Sequence, residues 1–150
     1  MALLARAPLN LLEEVLSPLQ ASREIEWLRR PETGLYMVQG RAGGTGERFN
    51  LGEVTVTRCT LRASSDADNA APVGVAYVMG RSHRHAELAA LADALLQGQE
   101  HCAALESSLL NPIRQHLALT QARHQARMQS TKVEFFTVAR ESGATDEEES

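Results

Sequence analysis

The chain has 150 residues, 43% hydrophobic and 23% charged, ordinary values for a globular domain burying about 70% of its unfolded surface and poor ones for a disordered chain. Its net charge of −4 is concentrated at one end: Glu141, Asp146, Glu147, Glu148 and Glu149 hold five of the 19 acidic residues, and the rest of the chain sets 15 basic residues against 14 acidic ones, which leaves no broad basic footprint for nucleic acid. Cys59 and Cys102 stand alone, without CxxC spacing, which argues against a disulfide-rich secreted scaffold and for a reduced, cytoplasmic setting.

Met1 to Leu12 is apolar, but Glu13 and Glu14 follow at once. The run is too short to span a bilayer and lacks a signal-peptide cleavage pattern, so neither membrane nor export is expected. Leu11, Leu12, Val15 and Leu16 recur at helical spacing over Asn10 to Leu16, with a stop expected near Ser17-Pro18. Glu24-Ile25-Glu26-Trp27 alternates as a half-buried strand does, with a short helix as the other reading, and Trp27 suits either a core anchor or an interface. Pro31-Glu32-Thr33-Gly34 signals a turn, after which Leu35 to Arg41 reads as a returning strand.

Arg41-Ala42-Gly43-Gly44-Thr45-Gly46-Glu47-Arg48-Phe49 is the most distinctive stretch. Three glycines imply a backbone with positive φ or close approach, and the flanking arginines place charge beside exposed N–H groups, where anions bind. It is not a Walker loop: no Lys-Ser/Thr follows, and a strand comes next in place of a helix. A structural turn, a partner contact and a phosphate contact through Gly43, Gly44, Thr45, Gly46 and Arg48, with Arg41 and Arg81 as further arginines able to hold phosphate oxygens, all remain open.

Val54 to Leu61 is rich in β-branched residues and strand-like. Ser64 to Pro72 is a polar turn, and Val73, Val75, Tyr77 and Met79 mark a further strand with period two. Four strands joined by turns predict an antiparallel meander. The period then changes: Leu88, Leu91, Ala92 and Leu95 form one stripe of a helix from about His85 to Gln97, with Gly98 as its C-terminal cap. His83-x-His85 with Glu87 suits a metal pair on a strand; with Ser82 capping a helix the two rings diverge, and His85 becomes a helix-start or partner-pocket residue.

A second helical run covers Glu100 to Leu110, where Cys102 is expected to be a small buried hydrophobe. Pro112 breaks the pattern, and Ile113 to Thr131 resumes it with a narrow seam of Ile113, Leu117 and Met128. The rest of that helix is polar, so its burial is expected to finish against another chain, with His116 and His124 as surface or interface residues. Lys132 to Ala139, with Val133, Phe135, Phe136 and Val138, predicts a late strand. The expectation is an α+β fold: an antiparallel sheet of about four strands, a mostly helical second half and a short C-terminal strand. It forms one domain over 1–140, with 141–150 as an acidic tail.

Several blocks together are similar to the PhnG family, a subunit of the bacterial carbon–phosphorus lyase core complex. They are Glu32-Thr33-Gly34, Arg41 with Gly43-Gly44-Thr45-Gly46-Glu47-Arg48-Phe49, Thr57-Arg58, Val78-Met79-Gly80-Arg81, His85-Ala86-Glu87, Ala90-Leu91, Asp93-Ala94-Leu95, and Val133 with Phe135-Phe136-Thr137 and Arg140. They run in order from about Arg6 to Arg140; Ser64 to Pro72 looks long for the family and Glu147-Glu148-Glu149 looks extra.

The resemblance implies work alongside PhnH, PhnI and PhnJ, with associated ATPase subunits. In that complex a phosphonate such as methylphosphonate displaces adenine from ATP to give α-D-ribose 1-methylphosphonate 5-triphosphate. It assigns the nucleosidase-like activity to PhnI, the radical cleavage with an iron–sulfur cluster and S-adenosylmethionine to PhnJ, and an accessory role to PhnG. ATP is then a substrate of the complex, and the isolated chain is expected to be inactive. No nucleophilic triad or tight carboxylate pair is visible in the sequence, and the catalytic residues stay unknown. Two further readings stay open: a free-standing phosphate- or nucleotide-binding module using Gly43 to Arg48, and a purely structural interaction subunit.

Overall fold

Period-two burial on two neighbouring strands sets the architecture. The computed structural model describes residues 1–64 and 71–130. Strands β1 (Glu24–Arg41), β2 (Arg48–Ser64) and β3 (Val73–Met79) form an antiparallel meander in the order β1-β2-β3. Thr57, Cys59, Leu61 and Ala63 of β2 and Gly74, Ala76 and Val78 of β3 are buried on one face, which helix α2 (His83–Gln97) covers. The opposite face carries Arg58, Thr60 and Arg62 and faces outward.

The α+β meander matches the expectation, but it has three strands rather than four. Pro31-Glu32-Thr33-Gly34 is not a turn; β1 runs straight through it. From Trp27↔Leu61 to Glu32↔Arg58, β1 advances five residues against three on β2, so the surplus residues bulge. A bulge on an edge strand asks for no ladder N–H, so Pro31 fits there, and the same residues that favour turns also favour bulges.

Helix α2 is the centre of the core: Ala86, Leu88 to Ala92, Ala94 and Leu95 are all buried. It lies so close to β3 that a Cβ on Gly74 would meet the Ala90 carbonyl oxygen at 1.9 Å. Its side chains also finish the free edge of β3. Asp93 Oδ2 accepts from the Val75 N–H at 3.1 Å, and Gln97 Nε2 donates to the Val73 carbonyl at 2.9 Å. An edge strand with these two groups engaged is a poorer template for stray pairing at that end.

Helix α1 (Leu9–Ala21) packs Leu12 and Leu16 against α2, and Arg84 ties the two together through Gln20 Oε1 at 2.7 Å and Ser17 Oγ at 3.2 Å. The expected stop at Ser17-Pro18 does not occur, because Glu14 and Pro18 both face solvent, where water can take the carbonyl that proline leaves without a donor.

Pro112 likewise fails to break the chain. α3 (Gln99–Leu105), a π-helical turn (Glu106–Leu110) and α4 (Asn111–Ser130) follow one another without a gap, and the wider turn absorbs the missing donor. Ser107 and Ser108 hydroxyls donate to the Ala104 carbonyl at 2.9 and 2.7 Å there. Leu105, Leu109 and Ile113 are buried and Leu117 half-buried, but Met128 is exposed, as is every residue from Gln121 to Gln129. The apolar seam is therefore shorter than expected. Cys102 is exposed, not buried, on a stretch of α3 where Ala103 and Ala104 are exposed too and Leu105 is the residue turned into the core.

The late strand of Lys132 to Ala139, most of the turn from Ser64 to Pro72 and the acidic tail lie outside the described residues. Among the described residues, no helix is long and apolar enough to cross a membrane.

Candidate functional site

β3 pairs with β2 only from Val56 to Arg62. Beyond Val56, β1 and β2 continue as a two-stranded arm reaching about 25 Å past the sheet at a strand's rise per residue. At its tip a 3-10 turn, Ala42–Gly44, reverses the chain. Gly43 and Gly44 have φ of 57° and 82°, the left-handed region that favours glycine. Gly46 is required for a different reason, since a Cβ there would lie 2.6 Å from the Ala42 carbonyl oxygen. That oxygen accepts from the N–H groups of Thr45 and Gly46, so these two amides of the loop are turned inward.

The arginines are what the tip presents outward. Arg41 and Arg48 are direct cross-strand neighbours, and with Gln39 and Gly40 they line a recess of ≈ 400 Å³. Arg41 Nη1 reaches the Gly46 carbonyl at 3.4 Å; Arg48 has no ion pair among the described residues.

At the base of the arm, segments distant in sequence converge. Thr57 Oγ1, on a fully buried residue, donates to the Gly80 carbonyl at 2.7 Å and lies 3.0 Å from Thr33 Oγ1, which is 3.1 Å from His83 Nε2. Gly80, at φ 98°, turns the chain from β3 into α2. On the outward face Glu32 Oε1 accepts from Arg29 Nη1 at 2.7 Å and from Arg58 Nε at 2.5 Å. Hydrogen bonds from Arg29 and then Arg58 hold the Glu32 carboxyl below its ordinary value, and the Glu32 carboxylate in turn raises Arg58. Glu32 is thus a fixed acceptor rather than a proton donor at neutral pH. With Thr33, Gly34, Leu35, Tyr36 and Arg58 it lines a recess of ≈ 320 Å³.

His85 lies apart from the tip. Its N–H donates to Ser82 Oγ at 3.3 Å, and its ring Nε2 donates to the Leu4 carbonyl at 2.8 Å, pinning the N-terminal turn onto α2. With Ser82 as cap, the rings of His83 and His85 go to different elements. The structure therefore groups Gly43, Gly44, Thr45, Gly46, Arg41 and Arg48 at one place and His85 at another, with Arg81 exposed beside α2. Thr57 enters the sequence reading only within the Thr57-Arg58 block, with no role attached to its hydroxyl. Its position two residues before Cys59 and four before Leu61, on the same period-two face, is the available signal for a buried hydroxyl.

Apolar surface links the two places. The arm exposes Leu35, Tyr36, Met37, Val38, Phe49 and Leu51, with Leu35 and Leu51 each 62% accessible. It continues onto the sheet through Tyr77 and Met79, which border an apolar groove with Ala2, Ala5 and Val56. Tyr36 and Tyr77 meet edge to face, with ring centroids 6.0 Å apart.

Comparison with known proteins agrees with the resemblance in the sequence. Residues 1–141 match the family described as phosphonate metabolism protein PhnG. Over 140 residues, 93% of this chain and 86% of the relative, the chain is 39% identical to a Rhizobium meliloti (strain 1021) protein named alpha-D-ribose 1-methylphosphonate 5-triphosphate synthase subunit PhnG. With its arm, its tip and its sheet-end cluster, this chain belongs to the PhnG family of phosphonate metabolism proteins.

Proposed function

We propose that this chain is an accessory subunit of the complex that makes α-D-ribose 1-methylphosphonate 5-triphosphate, the product named for its relative. In this reading it assembles in the cytoplasm with PhnH, PhnI and PhnJ. The complex lets a phosphonate displace adenine from ATP, a substitution at an anomeric carbon with an oxocarbenium-like transition state. PhnI supplies the nucleosidase-like chemistry. The iron–sulfur cluster and S-adenosylmethionine belong to PhnJ, and this chain contributes docking surface.

The observation that carries this reading is the arm. Two strands without a third, with exposed apolar side chains on both faces, are marginal in water, and so many large exposed apolar side chains in one element mark an interaction surface.

The test is co-expression with PhnH, PhnI and PhnJ, with a tag on this chain. The native chain should bring down its partners, whereas Leu35→Ser with Leu51→Ser should lose them. Unchanged capture by the variant, or release of adenine from ATP by the isolated chain at a rate near that of the assembly, would overturn the reading.

A further inference from the structure

Arg41 faces Arg48 directly across the two strands of the arm, and like charges opposite one another destabilise a strand pair. Neither guanidinium has an ion pair among the described residues, although Glu47 is the immediate neighbour of Arg48. The glycines force the chain to reverse just there and keep the two arginines together, while the Thr45 and Gly46 amides are spent on the Ala42 carbonyl. What remains is a pair of forked, unneutralised cations beside a recess of ≈ 400 Å³, held about 25 Å from the body on a two-stranded hairpin. The repulsion is relieved if an anion with several oxygens sits between them.

We infer that Arg41 and Arg48 grip a triphosphate group bound in a neighbouring subunit, reaching into that site from outside as the arm docks. The inference rests on the proposed assembly and adds the ligand of the tip. The chemistry fits: two planar guanidinia can each take two oxygens of adjacent phosphates, and a cation supplied in trans neutralises charge that the site's owner leaves exposed. The oligophosphate has two sources, the nucleotide substrate and the ribosyl triphosphate product, and both present the same oxygens. A carboxylate cluster on a partner protein is the competing occupant.

The experiment uses the whole co-expressed complex, with Arg41→Ala plus Arg48→Ala and, separately, Arg48→Lys. The inference expects full assembly of the double variant, with KM for ATP raised about tenfold or more and inhibition by inorganic tripolyphosphate weakened to a similar degree. Arg48→Lys, which keeps charge but loses the fork, should fall between native and the double variant. Product inhibition weakened without a change in KM would assign the grip to the product triphosphate, and the reverse pattern to the nucleotide. An assembled double variant with unchanged KM and unchanged tripolyphosphate inhibition overturns the inference and leaves the assembly reading intact. Loss of assembly also overturns it, since the arginines would then be docking groups for acidic protein surface. Failure of the native chain to capture partners sinks the assembly reading itself.

Discussion

Thr33 Oγ1 and Thr57 Oγ1 lie 3.0 Å apart at the base of the arm, and their bond has a direction. Thr57 gives its single hydroxyl proton to the Gly80 carbonyl, so Thr33 must donate to Thr57. Thr33 then has no proton left for His83, whose Nε2, 3.1 Å away, must be the donor. A directed chain from α2 through β1 and β2 to the Gly80 turn follows, joining three elements at the point where the arm leaves the sheet.

Thr57→Val tests that chain. Valine keeps the shape but removes the fully buried hydroxyl that donates to the half-buried Gly80 carbonyl and accepts from Thr33, while the exposed Thr33 keeps its contact with His83. The expected cost is about 1 kcal/mol in urea unfolding. A variant as stable as the native chain would mean that the hydroxyl network contributes nothing.

Gly74→Ala tests the contact between α2 and β3. The new methyl would lie 1.9 Å from the Ala90 carbonyl oxygen and 2.7 Å from the Ala94 nitrogen, both backbone atoms of a buried helix. α2 must move off the sheet, with a loss of about 3 kcal/mol or more. Gly34→Ala is the matched control: a Cβ there meets nothing within 4 Å, and stability should stay within about 0.5 kcal/mol of native. Thermal melts of the two variants should therefore separate cleanly.

These two positions also mark how far local sequence pattern reaches. Val73 to Met79 and the helix between Ser82 and Gly98 are legible because period two and period 3.6 are written locally, with a cap at each end of the helix. Pro31-Gly34 misleads because bulges and turns recruit the same residues, and Pro112 because a π-helical turn leaves no mark on a pattern of period 3.6. At the candidate site, glycines between two arginines announce the tip. The Thr33–Thr57–His83 chain is hidden, since it depends on a register joining residues 24 and 50 positions apart. Gly74 reads as a weak strand residue until the helix backbone is seen against it.

The two cysteines should behave oppositely. Burial, helped by the nearby Glu87 carboxylate, pushes the Cys59 thiol up to about 12 from an ordinary 9.0, whereas Cys102 is exposed on α3. At pH 8 iodoacetamide should label Cys102 alone in the native chain and both residues in denaturant, as read by mass spectrometry. The linkage has a definite sign. Above pH 9 an unfolded Cys59 releases its proton while the folded one keeps it, so the folded state holds more protons. Stability is therefore unaffected by Cys59 below pH 9 and falls as pH rises from there toward 12. A Cys59→Ala variant should lose that part of the alkaline decline; rapid labelling of Cys59 in the native chain would contradict the burial assigned to it.

The arm's apolar residues should matter to association and hardly at all to folding. Leu35 and Leu51 are each 62% accessible and stand outside the buried core, so replacing both by serine removes little intramolecular packing. The melting temperature should stay within about 4 °C of native. The same change takes apolar surface away from an arm that has two open edges, and such edges pair with other chains when nothing covers them. In sedimentation of the isolated protein the native chain should self-associate as concentration rises, and the variant should do so less. A fall in melting temperature well beyond about 4 °C would show that these side chains hold the arm to its own body, and the docking role assigned to them would pass to the groove bordered by Tyr77 and Met79.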